Sequence, residues 1–394
     1  MLVVSGELLR RNTLRGKRRP PGAYAGRPKL RHFGLGAVMF LAIWCGGEAF
    51  AGELDRFITR SQLPVPLGRV NHAPGLAELP SGGLVSCWYS GSSEASPDTQ
   101  ILCSRGTDRG VTWSAPEVAV GPGEQAAGAR EPNKSLGNVV LFADAGHERL
   151  WMIHGLIQRW HVPVLGNLCL NWRCGRVDAR VLAAGENGWS VAARLDDQVG
   201  ALPRAKILWH QQLGGLLPLY LEGEQASYVR QIEFGAADMR LGPPMFIPTQ
   251  GVIQPSLVIQ RDGQVRAFMR DTAAVAVRTA VLDHRSRNWS QATATNLPNP
   301  NSAVEAFTDD RGRFVVIHNP STRDRRIMHL ASSEDGVHFT PGCNLMAENQ
   351  EGEVAYPTAI RATDGAWHVA YSAHAKTRIH HVRFGPDWLE RCLG

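Results

Sequence analysis

An aromatic residue placed just after a turn recurs along this chain at a near-constant interval, and that recurrence limits the fold more than any other feature. Trp189, Trp289, Phe339 and Trp388 stand 100, 50 and 49 residues apart, and Met239 fills the slot midway between the first two. Trp113 precedes Trp189 by 76 residues, so that unit carries an insertion, assigned to 158–174. The result is six units near a 50-residue period. Glycine turns give a second, independent marker at Gly82-Gly83, Gly146, Gly214-Gly215, Gly263, Gly312 and Gly365. Each turn leads into a short apolar stretch, at 84–89, 150–154, 216–220, 265–269, 314–318 and 367–371, with another such stretch before it. Short strands at even spacing belong to repeated small sheets, which bury their faces only by stacking around an axis. The expected fold is all-β, a six-bladed β-propeller. With 41 Gly and 24 Pro spread over 394 residues, the composition also favours strands and turns over long helices.

The first 51 residues read differently. They hold nine of the 42 Lys and Arg but two of the 36 Asp and Glu. A short apolar run from Phe33 to Trp44 follows the basic part, and Ala49-Phe50-Ala51 follows that. This order predicts a secretory signal peptide over 1–51, with the mature domain at 52–394 secreted or periplasmic and without a membrane span. The pI of 9.1 belongs to the leader, the remainder being close to neutral. No basic stripe with interleaved aromatics points to nucleic acid. Six cysteines remain, Cys87, Cys103, Cys169, Cys174, Cys343 and Cys392, a number that permits disulfides in an exported chain without fixing their pairing. Cys169 and Cys174 lack zinc spacing, and neither a metal nor an organic cofactor is expected.

In a propeller, the residues that begin innermost strands and end second strands share one face around the axis. Here the first set reads His72, Asn138, Arg204, Gln254, Ser302 and Tyr356. The second reads Trp88 with Glu94 beyond, His154, Tyr220 with Glu222, Arg270, Asn319 and Tyr371. Most are charged or hydrogen-bonding, which marks that face as the functional one.

Two segments suggest a family. Gly106-Thr-Asp108-Arg-Gly110-Val-Thr112-Trp113 resembles the Asp-box pattern Ser-x-Asp-x-Gly-x-Thr-Trp, and Ser332-x-Glu334-x-Gly336-x-x-Phe339 looks like a degenerate copy. With His72-Ala73-Pro74, Trp88-Tyr-Ser-Gly91, Gln254-Pro255-Ser256, Asn301-Ser302, His318-Asn319 and Tyr356-Pro357 in order, residues 68–385 resemble the predicted-sialidase family with BNR-like repeats. The resemblance implies an exo-sialidase-type glycoside hydrolase acting on an acidic sugar or glycan. Tyr356 or Tyr371 would be the nucleophile, Glu222 or Glu305 its activating base, and Glu94 or Asp98 the acid. His72, Arg204, Gln254, Arg270, Asn319, Arg325 and Arg378 would bind substrate, the arginines gripping its carboxylate. In the family an arginine stands two residues before the first inner-strand proline, where this chain has His72. Two alternatives stay open: a polysaccharide lyase on the same scaffold, and a glycan-binding propeller without catalysis.

Overall fold

Alternating apolar residues and glycine turns build six antiparallel sheets in chain order, each with its first strand innermost. The computed structural model describes residues 57–394 except 130–132, 145, 147, 159–160, 163–165, 168–170, 184, 187, 197, 236–237 and 347–351. The expected leader and cleavage site, and Cys169, lie outside the described residues. Blade one runs Val70–Glu78, Leu84–Gly91 and Gln100–Thr107, edged by Thr112–Trp113 and Glu117–Val120. Blade two runs Asn133–Asp144, Arg149–Gln158, Gly175–Ala183 and Ala193–Asp196. Blade three begins with Ala201–Pro203 and Leu208–His210, then Gly214–Leu221, Ala226–Phe234 and Met239–Gln250. Blade four runs Val252–Ile259, Val265–Asp271 and Ala276–Asp283, edged by Asn288–Trp289 and Thr293–Pro298. Blade five runs Glu305–Thr308, Phe314–His318, His329–Ser333 and Thr340–Asn344. Blade six holds Ala355–Arg361, Trp367–Ala373 and Arg378–Phe384, and takes Ile58–Gln62 from the other end of the chain as its fourth strand.

Trp113, Trp189, Trp289 and Phe339 occupy one equivalent place, the turn into the outer strand, and pack back toward the preceding blade. Trp388 lies instead in the C-terminal helix Pro386–Leu393 against Phe384 of its own blade, because blade six takes its outermost strand from Ile58–Gln62. Trp289 shares a cluster with Leu216 and Val229 of blade three. The Phe339 ring lies 5.6 Å from Phe268 of blade four. In three blades a serine follows the tryptophan, and its bonds repeat. Ser114, Ser190 and Ser290 each accept from a third-strand amide nine residues earlier, at Arg105, Val181 and Val281, all at 3.0 Å. Blade two carries the insertion between its second and third strands, with a small hairpin pairing Asn167 to His161 and a 3₁₀ turn at Trp172–Cys174. One expected register shifts by a residue. In the turn of blade five Asp335, not Glu334, accepts from the amides of Val337 and His338, both at 2.8 Å. Glu334 instead faces Arg261 at 3.6 Å on the surface. Disulfides join Cys87 to Cys103 across blade one and Cys343 to Cys392 in the C-terminal helix Pro386–Leu393.

A polar latch locks the ring where the chain ends meet. Ser61 Oγ donates to Gly110 O at 2.6 Å, so it must accept from His381 Nδ1 at 3.1 Å. That leaves His381 Nε2 to accept from His368 Nδ1 at 3.0 Å. Gly110 has φ +80°, and a Cβ there would sit 2.3 Å from the His381 ring. Burial, the largest cause, lowers His381 to about 3 and His368 to about 4, so both imidazoles are neutral near pH 7. Arg383 and Asp364 also face the pair.

Two outcomes follow from this packing. Trp289→Ala removes a buried large aromatic and costs about 3–5 kcal/mol in urea unfolding. Protons bind the unfolded histidines from their ordinary value of about 6.5 downward while the native ones refuse them. Stability therefore falls as pH drops from about 6.5 toward 3, and His381→Gln, though weaker at neutral pH, shows a shallower acid decline of its urea midpoint.

Candidate active site

Irregularities in the innermost strands aim side chains at the axis. Pairing slips between His72 and Gly75, Leu136 and Val139, Ile253 and Ser256, and Ala355 and Thr358. Ala73, Gln254 and Tyr356, each directly before a proline, have φ of +53°, +57° and +57°, and Asn301 has +54°. A non-glycine residue in this region costs roughly 1–3 kcal/mol, and such strain clusters where function holds it in place.

The bulged residues and the second-strand ends enclose a cavity of about 140 Å³, lined by Tyr89, Glu94, Asn138, Trp172, Leu202, Tyr220, Glu222, Arg270, Arg325, Tyr356 and Lys376. Its floor is one connected network. Arg270 Nη1 donates to Gln254 Oε1 at 3.2 Å and to the Tyr356 hydroxyl at 3.0 Å. Because a guanidinium only donates, the Gln254 carbonyl must face it. The Gln254 amide nitrogen then donates to Tyr220 at 3.2 Å and Tyr356 at 3.1 Å. Asn138 adds a bond to the Tyr220 hydroxyl at 3.2 Å. The Tyr356 oxygen thus receives two donors, an arrangement suited to carrying negative charge.

Behind Tyr356 lies a buried layer. The Arg204 guanidinium stands 4.9 Å from the Tyr356 ring and donates to the Pro357 carbonyl. The His72 ring lies 4.3 Å from the Tyr356 ring, and its Nδ1 bonds Ser372 Oγ at 2.7 Å. Burial first, then Lys376 and Arg204, holds His72 well below its ordinary pKa. Burial likewise lowers Arg204. Lys206 and the buried Glu305 form an ion pair in the same layer.

Charges around the cavity are unevenly compensated. Lys376 pairs with Glu94 at 2.7 Å and Arg325 with Glu353 at 2.9 Å. Arg270 bonds Asn301 Oδ1, Gln254 and Tyr356, and has no carboxylate partner among the described residues. Burial raises Glu222, which Arg270 opposes and Glu94 reinforces. No cluster of metal-binding side chains occurs among the described residues.

Of the expected site residues, Tyr356, Glu222, Glu94, Arg270 and Arg325 line the cavity. Gln254 joins them through the network, while His72 and Arg204 stand behind Tyr356 rather than beside a substrate. Four others are elsewhere. Tyr371 is buried, its ring 5.6 Å from His380. Blade six pairs Ala355 with Ser372, as blade four pairs Ile253 with Arg270, so Tyr371 is one residue out of phase. A one-residue offset in a strand turns a side chain to the opposite face. Asp98 ties its own loop, accepting from Ser96 Oγ at 2.6 Å and pairing with Arg69 at 3.0 Å. The Ser96 hydroxyl above all, with the Ser92 bonds, holds it far below the usual carboxylate range, which unfits it for donating a proton. Asn319 is buried and donates to the Ile327 and Val354 carbonyls at 2.8 and 3.0 Å. Arg378 donates to its neighbour's carbonyl at Thr377. Trp172 also lines the cavity; it lies in the inserted segment 158–174, which the repeat period does not phase.

A family model described as a BNR repeat-like domain matches residues 82–369. No curated protein sequence matches the chain. Among solved structures, the Hadza microbial sialidase Hz136 is similar with a TM-score of 0.61 at 15% identity, covering 80% of this chain and 66% of that one, just under two thirds of its length. The NanB sialidase from Streptococcus pneumoniae gives 0.62 at 10% identity, covering 81% and 68%. The alpha-L-arabinanase of Penicillium chrysogenum gives 0.51 at 13%, covering 82% and 99%. At these identities the likeness is one of fold, and that fold carries different chemistries.

The buried and cavity-facing arginines should respond differently to truncation. Arg204→Met strands the buried Pro357 carbonyl and lowers stability by about 1–3 kcal/mol. Arg270→Met leaves the Gln254 and Asn301 carbonyls at a cavity that water can enter, and costs less, about 1 kcal/mol or under, in the same urea titration.

Proposed function

This chain belongs to the family of BNR repeat-like domains, and on that premise we propose that it is an exported glycoside hydrolase removing an acidic sugar of the sialic-acid kind from a glycan. One observation carries the reading. Arg270, which makes no contact ion pair with a carboxylate among the described residues, faces the cavity and donates to the Tyr356 hydroxyl at 3.0 Å. A guanidinium lining a small polar cavity without a carboxylate in contact suits a substrate carboxylate. A tyrosine oxygen beside it suits attack on an anomeric carbon that already bears a carboxylate, because a neutral nucleophile avoids charge repulsion. In this scheme Tyr356 attacks the anomeric carbon, one of the two cavity carboxylates, Glu222 or Glu94, takes its proton, and the other, carrying a proton, gives it to the departing oxygen. Burial raises the pKa of Glu222, which makes its carboxylate a stronger base than an exposed one.

A second reading rests on a different feature of the same network. The Tyr356 oxygen contacts Arg270 and Gln254 rather than a carboxylate, and its ring lies against His72. Such an arrangement also serves β-elimination from a uronate, with the arginine on the carboxylate and the tyrosine moving protons.

A panel of acidic glycans separates the two. Hydrolysis releases a saturated acidic monosaccharide, whereas elimination leaves an unsaturated, ultraviolet-absorbing end. The proposal expects the first product, and expects Arg270→Lys to lose most of the activity with unchanged folding, since a point charge cannot replace a planar fork. Tyr356→Phe loses the covalent step altogether. Absence of turnover on every member, or an active Arg270→Lys, contradicts it. Export rests on the basic leader and Ala49-Phe50-Ala51; N-terminal sequencing should find the secreted protein starting near Gly52.

A further inference from the structure

Lys376 reaches the cavity from a turn that is costly to build. It lies between the second and third strands of blade six, and His374, Ala375 and Lys376 have φ of +48°, +53° and +68° in succession. Three left-handed residues in a row, none of them glycine, need support from outside the turn. The Asn71 amide donates to the Lys376 carbonyl at 2.6 Å, Asn71 Nδ2 to the Thr377 carbonyl at 3.3 Å, and the Ala375 amide to the Glu353 carbonyl at 3.1 Å. Gly352 passes so close that a Cβ on it would stand 3.2 Å from His374 Cα. What the turn delivers is one ammonium: Lys376 Nζ donates to Glu94 Oε2 at 2.7 Å, and both side chains line the cavity. Both are partly exposed, so the pair adds little to stability, and the strained turn calls for another role.

The two carboxylates of the cavity therefore differ. Glu94 accepts from an ammonium. The Glu222 side chain makes no hydrogen bond or ion pair among the described residues. Burial, the largest cause, raises its pKa, while Arg270, Glu94 and Arg173 act on it from a distance. An ammonium in contact suits a carboxyl group to its charged form, whereas a desolvated one with no donor in contact keeps its proton to higher pH. Attack by a neutral tyrosine on a glycoside needs one group of each kind at the start.

We propose that Lys376 is a positioning residue that sorts these roles: it keeps Glu94 charged to take the Tyr356 proton and leaves Glu222 to protonate the departing oxygen. This deepens the hydrolase reading and rests on it. In the first step the bond from Tyr356 Oη to the anomeric carbon forms as the bond to the departing oxygen breaks. The phenolic proton passes to Glu94, and the Glu222 proton passes to the leaving group. In the second step water replaces the tyrosine on that carbon, one water proton goes to Glu222, and Glu94 gives its proton back to Tyr356. Both carboxyl groups end as they began.

Two glycosides of N-acetylneuraminic acid test this, 3′-sialyllactose and the 4-nitrophenyl glycoside, whose phenolate departs without needing a proton. Glu222→Gln should slow the lactose compound about a hundredfold or more and still give a rapid burst of nitrophenolate, because with that leaving group only the second step lacks its proton acceptor. Glu94→Gln should lose the burst. Lys376→Met should slow the burst about tenfold at unchanged amplitude, and Lys376→Arg should restore most of its rate. A burst lost in Glu222→Gln and kept in Glu94→Gln reverses the roles and overturns the assignment, as does a normal burst in Lys376→Met. Either result leaves the hydrolase reading standing. A wild-type protein that cleaves neither glycoside overturns both.

Discussion

A strand that pairs regularly on both sides points its residues alternately up and down, and a ring of such strands would send little toward its own axis. The slips at the top of the innermost strands break that rule, and everything at the site depends on them. Gln254 and Tyr356 are each twisted to positive φ directly before a proline, so their side chains leave the sheet and meet over the axis. The conformation is costly, and the surroundings hold it. Arg204 from blade three anchors Pro357 of blade six, and Ser372 of blade six meets both the His72 ring and the Ala73 amide of blade one. Groups from different blades therefore fix one another, which is how residues more than 100 positions apart make a single rigid floor.

The same constraint explains the division of labour between layers. Directly under Tyr356 the charges are dry and matched: Lys206 with Glu305, and Arg204 with a carbonyl and a ring face. Above it the matching stops at Arg270. Arg270 is half-buried, bonds only neutral side chains and lines the cavity, so it is the cation best placed to meet an anionic ligand. The ring itself is closed by different means, a neutral histidine pair and a serine joining the first strand to the last blade.

Much of this was legible in the sequence because repeats leave two kinds of trace. The tryptophan–serine pairs mark where the third strand turns outward in three blades, and the glycine turns mark where each second strand begins. Together they phase the blades, and phase places Tyr356, Gln254 and Arg270 on one face. The failures share a cause. Tyr371 looks like a strand end by spacing, but its strand runs on to Ala373, and one residue reverses a side chain. Glu334 fits the spacing to Gly336, whereas the turn is capped by the neighbouring Asp335. Asn319 and Asp98 look like site residues by composition, yet both satisfy local backbone and loop bonds, which only coordinates reveal. Trp172 sits in the one segment that the period does not phase.

The central claim is that the half of the cavity built by blades four to six recognises a carboxylate. The most direct test titrates the wild-type protein with N-acetylneuraminic acid and with its methyl ester, which keeps the shape and removes the charge. The account predicts that the free acid binds at least about tenfold more tightly. Equal affinities for acid and ester would contradict it.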